Sequence, residues 1–102
     1  MFKAMILLKR REDATHEEFA QWWLQGHRPL AEQLPGLKRA VFNLAQKDPA
    51  SDYDGVSELW FESKADFDAA YASDIGKAVA RDSLDNVASR TRLFVDEHII
   101  KS

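Results

Sequence analysis

The order of apolar segments along the chain constrains its fold more than any other feature. Short runs rich in Val, Ile, Leu and Phe predict strands, and stretches with apolar residues every three or four positions predict helices. The predicted strands are residues 2–10, 37–47, 56–61 and 91–100. One helix is predicted between the first two strands and another between the last two. This β-α-β-β-α-β order predicts an α+β, ferredoxin-like fold: a four-stranded antiparallel sheet with helices on one face.

The predicted helices carry start and stop signals. Thr15 and Glu18 form a capping box, in which each side chain accepts a hydrogen bond from the backbone N–H of the other residue. Because Pro29 lacks a backbone N–H, we expect this first helix to kink or end one or two residues before it. The second helix is predicted to begin at an N-cap serine, to be interrupted near 73–76 and to continue through Val87.

The strands place apolar residues on both faces of this sheet. In the third strand, Leu59 and Phe61 fall on one face, and Glu58 and Trp60 fall on the other. The helices can cover only the first face. The first strand is apolar on both sides, whereas a sheet with one wet face should alternate more cleanly. We therefore predict a homodimer, in which a second copy covers the other face and the two sheets enclose a barrel-like pocket.

The second strand leaves open which of its residues line this cavity. One alternate set is Ala40, Phe42 and Leu44, and the other is Arg39, Val41 and Asn43. We favour the second set as the cavity lining, because the helix face of the sheet should be wholly apolar.

Composition narrows the class of protein. The chain has 102 residues, 45% of them hydrophobic, a net charge of −3 and no cysteine. These values predict one soluble domain over 1–102, without disulfides or thiolate metal sites. The charge argues against nucleic-acid binding, and no apolar run suits a membrane span or a signal peptide, so we expect a cytoplasmic protein. The histidines lack metal-ligand spacing and the glycines form no phosphate loop, which predicts no metal and no cofactor.

Three segments of the chain resemble the EthD family. They are F-x-x-W-W-x-x-x-H-x-P-L at 19–30 with LPGL at 34–37, DGVSELWF at 54–61, and FV-x-EH at 94–98. The resemblance spans essentially the whole chain and implies a dimeric α/β barrel. It also implies a setting beside catabolic oxygenases, such as ether-degrading systems. Relatives of this fold include lactone isomerases, polyketide cyclases and cofactor-free monooxygenases, so the fold alone does not choose a reaction.

His27 and Glu58 are the predicted catalytic residues. His27 lies at the edge of the apolar stripe of the first helix, where an imidazole can act as general acid or base near neutral pH. The alternative is a structural histidine that bonds a backbone carbonyl near Pro29. Glu58 shares a strand face with Trp60, where a partly enclosed cavity would raise its pKa. The alternative is a salt bridge, for example to Arg39.

Four further side chains are predicted to contact a ligand: Trp60, Trp23, Arg39 and Asn43. Trp60 can stack on a flat molecule. Trp22 and Trp23 point about 100° apart on their helix, so one should lie in the core and the other at its margin or at the dimer interface.

These features predict a small homodimeric protein of hydrophobic small-molecule catabolism, acting on aromatic, lactone or ether compounds. His27, assisted by Glu58, would move a proton in an isomerisation, a cyclisation or a cofactor-free oxidation. The pocket is expected between the sheet and the end of the first helix. The alternatives are a non-catalytic ligand-binding or accessory protein for a partner oxygenase, and an interaction module with a filled barrel.

Overall fold

Four strands and four α-helices account for most of the chain. The computed structural model describes all 102 residues. In chain order the elements are β1 (Phe2–Arg10), α1 (His16–Gln21), a π-helical segment (Trp22–His27), α2 (Arg28–Ala31), β2 (Arg39–Leu44), β3 (Gly55–Phe61), α3 (Lys64–Ala72), α4 (Asp74–Asn86) and β4 (Val87–Val95). The strands form one antiparallel sheet in the order β2-β3-β1-β4. The predicted ferredoxin-like fold is confirmed.

β1 occupies the centre of the sheet, between β3 and β4. Ala4 pairs with Leu59 on one side and with Phe94 on the other. A central strand has no solvent edge, so it tolerates the most apolar sequence of the four. Ala4, Ile6 and Leu8 are buried beneath the helices.

The hydrophobic core lies between the sheet and the helices. Each large side chain that is fully buried there contributes about 1.5–3 kcal/mol of transfer free energy. The core cluster consists of Ala4, Ile6, Leu8, Phe19, Trp23, Leu34, Leu59, Phe61, Phe67, Ala70, Val79 and Val87.

The first helical region changes type ahead of its proline. The capping box is present: the Thr15 hydroxyl accepts from the Glu18 N–H at 3.1 Å, and the Glu18 carboxylate accepts from the Thr15 N–H at 2.9 Å. In the π-helical segment, the Arg28 N–H donates to the carbonyl of Trp23, five residues earlier. Pro29 lies directly after this wide turn, in α2. The predicted kink therefore takes the form of a change in helix type.

The predicted boundaries of the last strand are wrong. β4 spans Val87–Val95 rather than 91–100, and Val87 belongs to this strand, not to the preceding helix. Lys3 of β1 pairs with the last residue of β4, and Arg10 with its first. The extent of β4 is thus set by its partner strand, which no local pattern reveals.

β2 directs its larger apolar side chains toward the helices. It spans Arg39–Leu44, shorter than the predicted 37–47, and its pairing with β3 runs from Trp60 to Gly55. The Phe42 ring stacks on the buried Trp23, with centroids 4.6 Å apart. The opposite face carries Arg39, Val41 and Asn43, which pair with β3 residues of that same face. The two alternate sets therefore face as expected, with Arg39, Val41 and Asn43 turned away from the helices, whereas the role of this set as the cavity lining stays a prediction.

No helix covers the other face of the sheet, which we call the open face. Its apolar side chains from β1, β2 and β3 are half-buried among their neighbours, and Leu93 on β4 is 48% exposed. The main members are Lys3, Met5, Leu7, Arg39, Val41, Asn43, Val56, Glu58, Trp60 and Leu93. The helix side of the sheet is therefore dry over β1 and β3, and the open face mixes apolar and charged groups. None of the helices has the length and apolar composition needed to cross a membrane.

Candidate functional site

The π-helical segment positions the histidine that sequence analysis singled out. π-Helical turns are rare and recur at functional sites, because they redirect the side chains that follow them. Here Trp23 points to the sheet, where it packs against Phe42, while Trp22 and His27 point to α4. The expectation that one of the two tryptophans lies in the core is confirmed for Trp23, which is 1% exposed.

His27 forms a hydrogen-bonded pair with Asp82 of α4. The Nδ1 of the imidazole lies 2.7 Å from the Asp82 carboxylate oxygen Oδ2. The indole N–H of Trp22 donates to the same oxygen at 3.2 Å, and the Asn86 amide donates to Oδ1 at 3.3 Å. The carboxylate thus accepts three donors, and it ties the π-helical segment to α4.

Burial keeps the His27 imidazole neutral. The residue is 4% exposed, and desolvation lowers its pKa more than the hydrogen bond and charge of Asp82 raise it. The positive charge of Arg90 acts in the same direction as burial. With Nδ1–H donating to the carboxylate, the free lone pair is on Nε2, the arrangement of a general base oriented by an acid residue.

The free nitrogen of His27 faces Ser83. The Ser83 Oγ lies 3.4 Å from Nε2 and is buried. A carboxylate, an imidazole and a hydroxyl in contact with one another also form the nucleophilic triad of hydrolases. A triad serine, however, has to be accessible to its substrate. Because Ser83 is enclosed in the core, its hydroxyl serves here as a hydrogen-bond partner for the imidazole.

A cleft of about 300 Å³ opens between the end of the first helical region and β2. Four of its six lining residues are apolar, and the other two form an ion pair 2.9 Å long. The lining consists of Leu24, Arg28, Ala31, Glu32, Ala40 and Phe42. The Phe42 ring also stacks on the His27 ring, with centroids 6.3 Å apart and planes inclined by 23°. Phe42 is therefore the wall between the cleft and the His27–Asp82 pair.

Glu58 does not share a site with His27. It lies on the open face, where its carboxylate accepts from the Lys3 ammonium at 2.8 Å and from the Asn43 amide at 3.0 Å. The prediction of a raised pKa is wrong, because the Lys3 and Asn43 hydrogen bonds lower the pKa of Glu58. The predicted salt bridge exists, but with Lys3 in place of Arg39.

Trp60, Arg39 and Asn43 are brought together on the open face. The Arg39 guanidinium and the Lys3 ammonium each lie 4.6 Å from the centre of the Trp60 indole. Such cations are attracted to the electron-rich face of an aromatic ring. A solvent-open space of about 610 Å³ adjoins the indole.

The structure separates Trp23 from the other three side chains that were predicted to contact a ligand. Its indole fills the space above Gly55, where an added Cβ would lie 2.6 Å from the ring. Trp23 is thus a core residue on the helix side of the sheet. The chain contains no group of three or more His, Cys, Asp and Glu side chains arranged to hold a metal ion.

Sequence reasoning missed Asp82. The stretch from 81 to 92 reads as a solvated, mixed-charge surface, but Asp82 stands beside Ser83 and three residues after Val79, both of which are buried. That spacing puts it at the margin of the inward face of α4. A carboxylate at the margin of a buried helix face usually has a hydrogen-bond or ion-pair partner. The position of Asp82 relative to Val79 and Ser83 was therefore the signal in the sequence that could have identified it.

Comparisons with known proteins agree with this fold. Residues 11–91 match the model of the EthD domain. An uncharacterized 11.0 kDa protein in the thcB-thcC intergenic region of Rhodococcus erythropolis is 32% identical over 105 aligned positions, which cover 98% of each chain.

Two solved structures resemble the chain at low identity, which supports the fold alone. An EthD family protein from Bacillus halodurans superposes with a TM-score of 0.81 at 21% identity, covering 96% of this chain and 100% of that one. A dimeric ferredoxin-like protein of unknown function from Thermobifida fusca gives a TM-score of 0.75 at 16% identity, covering 92% and 88%. The family match over most of its length shows that this chain belongs to the EthD domain family.

Proposed function

We propose that this protein is a homodimeric enzyme of hydrophobic small-molecule catabolism, in which His27 transfers a proton on an oxygenated substrate bound in the cleft beside Phe42. The observation that carries the proposal is the buried, neutral imidazole that Asp82 orients directly behind the wall of that cleft. A neutral histidine with a carboxylate partner suits a general base near neutral pH.

The simplest reaction of this kind is an isomerisation. His27 Nε2 takes a proton from a carbon next to a carbonyl group, and the electron pair passes into an enolate. The imidazolium, stabilised by Asp82, returns the proton to a different carbon, so that no oxidant or cofactor is consumed. A base must come within about 3 Å of the proton that it removes. Because Nε2 faces the buried Ser83 hydroxyl and the Phe42 ring separates the imidazole from the cleft, this step requires both side chains to move aside.

Homodimerisation would cover the open face. Two observations support a dimer. The open face carries apolar side chains that no helix covers, namely the half-buried Met5, Leu7 and Val41 and the exposed Leu93. The structurally similar protein from Thermobifida fusca is dimeric. Sedimentation at low micromolar concentration should give twice the chain mass of 11.7 kDa. Leu93→Arg should yield monomer, because it places a charge in the interface. The matched control Leu84→Arg changes a side chain that is 65% exposed on α4 and should remain dimeric.

The catalytic proposal is tested with a panel of β,γ-unsaturated ketones and lactones, whose conjugated products absorb in the ultraviolet. We expect His27→Asn to lower the rate at least 100-fold and Asp82→Asn to lower it about tenfold. His98→Asn, at an exposed histidine outside β4, is the control and should keep full activity. Unchanged turnover in a folded His27→Asn protein, or no turnover of any panel member by the native protein, would contradict the role.

A non-catalytic binding protein is the second candidate, and the position of Trp60 favours it. Its indole is accessible on the open face and lies under two cations, an arrangement that suits a flat, electron-rich ligand. Saturable binding of 1-naphthol that is lost in Trp60→Leu but kept in His27→Asn, without turnover of the ketone panel, would select this candidate.

A further inference from the structure

Two arginines of β4 stand without carboxylate partners on the helix side of the sheet edge. Arg90 and Arg92 are two residues apart on one strand face, and they pair with Leu8 and Ile6 of the core side of β1. Neither guanidinium takes part in any of the eight ion pairs of the chain. Arg90 is partly buried and Arg92 is exposed, and both lack a carboxylate partner although the protein has a net charge of −3.

The Arg90 side chain also carries an unused donor. Its Nε is buried and has no hydrogen-bond acceptor. A buried donor without a partner costs about 1–3 kcal/mol, and an acceptor from outside the chain removes that cost once the Arg90 side chain turns outward to meet it. A carboxylate fits best, because its two oxygens match the paired N–H groups of a guanidinium.

Aromatic rings surround the two guanidiniums. The Arg92 guanidinium lies 4.5 Å from the centre of the Phe94 ring and 5.8 Å from that of Phe67, and Arg90 lies 5.8 Å from the ring centre of Tyr71. Phe94 is 40% exposed. An anion held by both arginines would therefore have an apolar surface beside it, which inorganic ions cannot use.

From these observations we infer that Arg90 and Arg92, with the rings of Tyr71 and Phe94, form a binding site for an organic carboxylate that carries an aromatic or aliphatic body. The site lies on the helix side of the sheet, away from the open face, and its test needs no turnover, so it stands whether or not His27 is catalytic. The positive charge of Arg90 opposes the rise in the pKa of Tyr71 that burial causes.

The test is an NMR titration of the full-length protein with benzoate, following the arginine Nε–Hε signals. We expect saturable shifts of Arg90 and Arg92, at least tenfold weaker binding in Arg90→Gln, and at least threefold weaker binding in Arg92→Gln. The matched control is Arg81→Gln, which removes an exposed arginine of α4 and should change the affinity less than twofold. Benzamide, which has the same ring but no charge, should bind at least tenfold more weakly than benzoate.

Several results would overturn the site. One is benzoate shifting the Arg81 signal as much as that of Arg90, without saturation. Another is that inorganic phosphate binds as tightly as benzoate, since the aromatic ring of the ligand would then contribute nothing to binding. If Arg90→Gln fails to fold, the native Arg90 signal and the exposed Arg92→Gln variant decide the question: benzoate that leaves both the signal and the affinity unchanged refutes the site.

Discussion

The two faces of the sheet each hold an ionisable residue whose pKa is lowered, but for opposite reasons. On the helix side, burial lowers the pKa of His27 and leaves the imidazole neutral. On the open face, Lys3 and Asn43 lower the pKa of Glu58 and keep the carboxylate charged. Desolvation thus dominates the pKa where the helices exclude water, and pairing with other polar groups dominates it where the sheet meets solvent. Only the helix side therefore offers a neutral base.

The largest difference between the faces should appear in their tryptophans. Trp23→Ala removes a fully enclosed indole and should lower the free energy of unfolding by about 4 kcal/mol, because a cavity remains. Trp60→Ala removes a half-buried indole and should cost about 1 kcal/mol. Chemical denaturation at one fixed protein concentration measures both. Equal losses of unfolding free energy in the two variants would mean that Trp60 is as well shielded from water as Trp23.

The two carboxylates should differ nearly as much. Asp82→Ala leaves the buried His27 Nδ1–H and the Trp22 indole N–H without their acceptor, so we expect a loss of about 3 kcal/mol. Glu58→Ala leaves Lys3 with its second partner, Glu97, and should cost about 1 kcal/mol. Thermal or urea unfolding of the two variants measures both losses. A larger loss of stability in Glu58→Ala than in Asp82→Ala would contradict the prediction.

Acid should weaken the helix side first. Because the pKa of His27 is lower in the folded state, the unfolded chain takes up a proton that the folded chain does not. Stability should therefore fall as the pH drops below about 6.5, with a slope of up to about 1.4 kcal/mol per pH unit. His27→Gln should flatten this part of the unfolding profile, whereas His98→Gln should leave it as in the native protein. A native profile that is flat between pH 5 and 7 would argue against a neutral, buried imidazole.

The smallest effect is expected from Glu58, in a more acidic window. Its lowered pKa means that the folded chain holds the carboxylate charged after the unfolded chain has become protonated. The stability that it contributes is complete above about pH 4.5 and is lost as the pH falls through the folded pKa. Glu58→Gln should remove only this acidic part of the profile, with an effect below about 1 kcal/mol. If Glu58→Gln already changed the pH dependence of the free energy of unfolding at pH 6 relative to the native protein, the pH ranges assigned to His27 and Glu58 would not be distinct.

Local patterns predicted the fold and one side of the candidate site. The capping box at Thr15, the break before Pro29 and the two-sided third strand are short-range features, and each lies close to its predicted place. His27 was singled out because it lies at the edge of the apolar stripe of its own helix and within the segment that resembles the EthD family, and its catalytic role stays a prediction. Asp82 was missed because it lies 55 residues further along the chain, and only packing brings it to the imidazole.

The error concerning Glu58 has the same origin. Strand alternation correctly placed Glu58 and Trp60 on one face, but a pattern along a strand does not say which cation of another strand pairs with a carboxylate. Lys3 lies on β1, and its ammonium reaches Glu58 across the sheet. A lone carboxylate beside an indole would have a raised pKa, whereas the neighbouring ammonium reverses the direction.

The order of elements, the alternation of each strand and the caps of each helix follow from the amino-acid sequence, since they depend on residues within a few positions of one another. Which side chains meet was decided only by the tertiary structure. Antiparallel pairing put Lys3 against Glu58, helix packing put Asp82 against His27, and the sheet separated the two pairs. The reason is physical: hydrogen bonds and desolvation act over a few ångströms in space, and distance along the chain does not enter them.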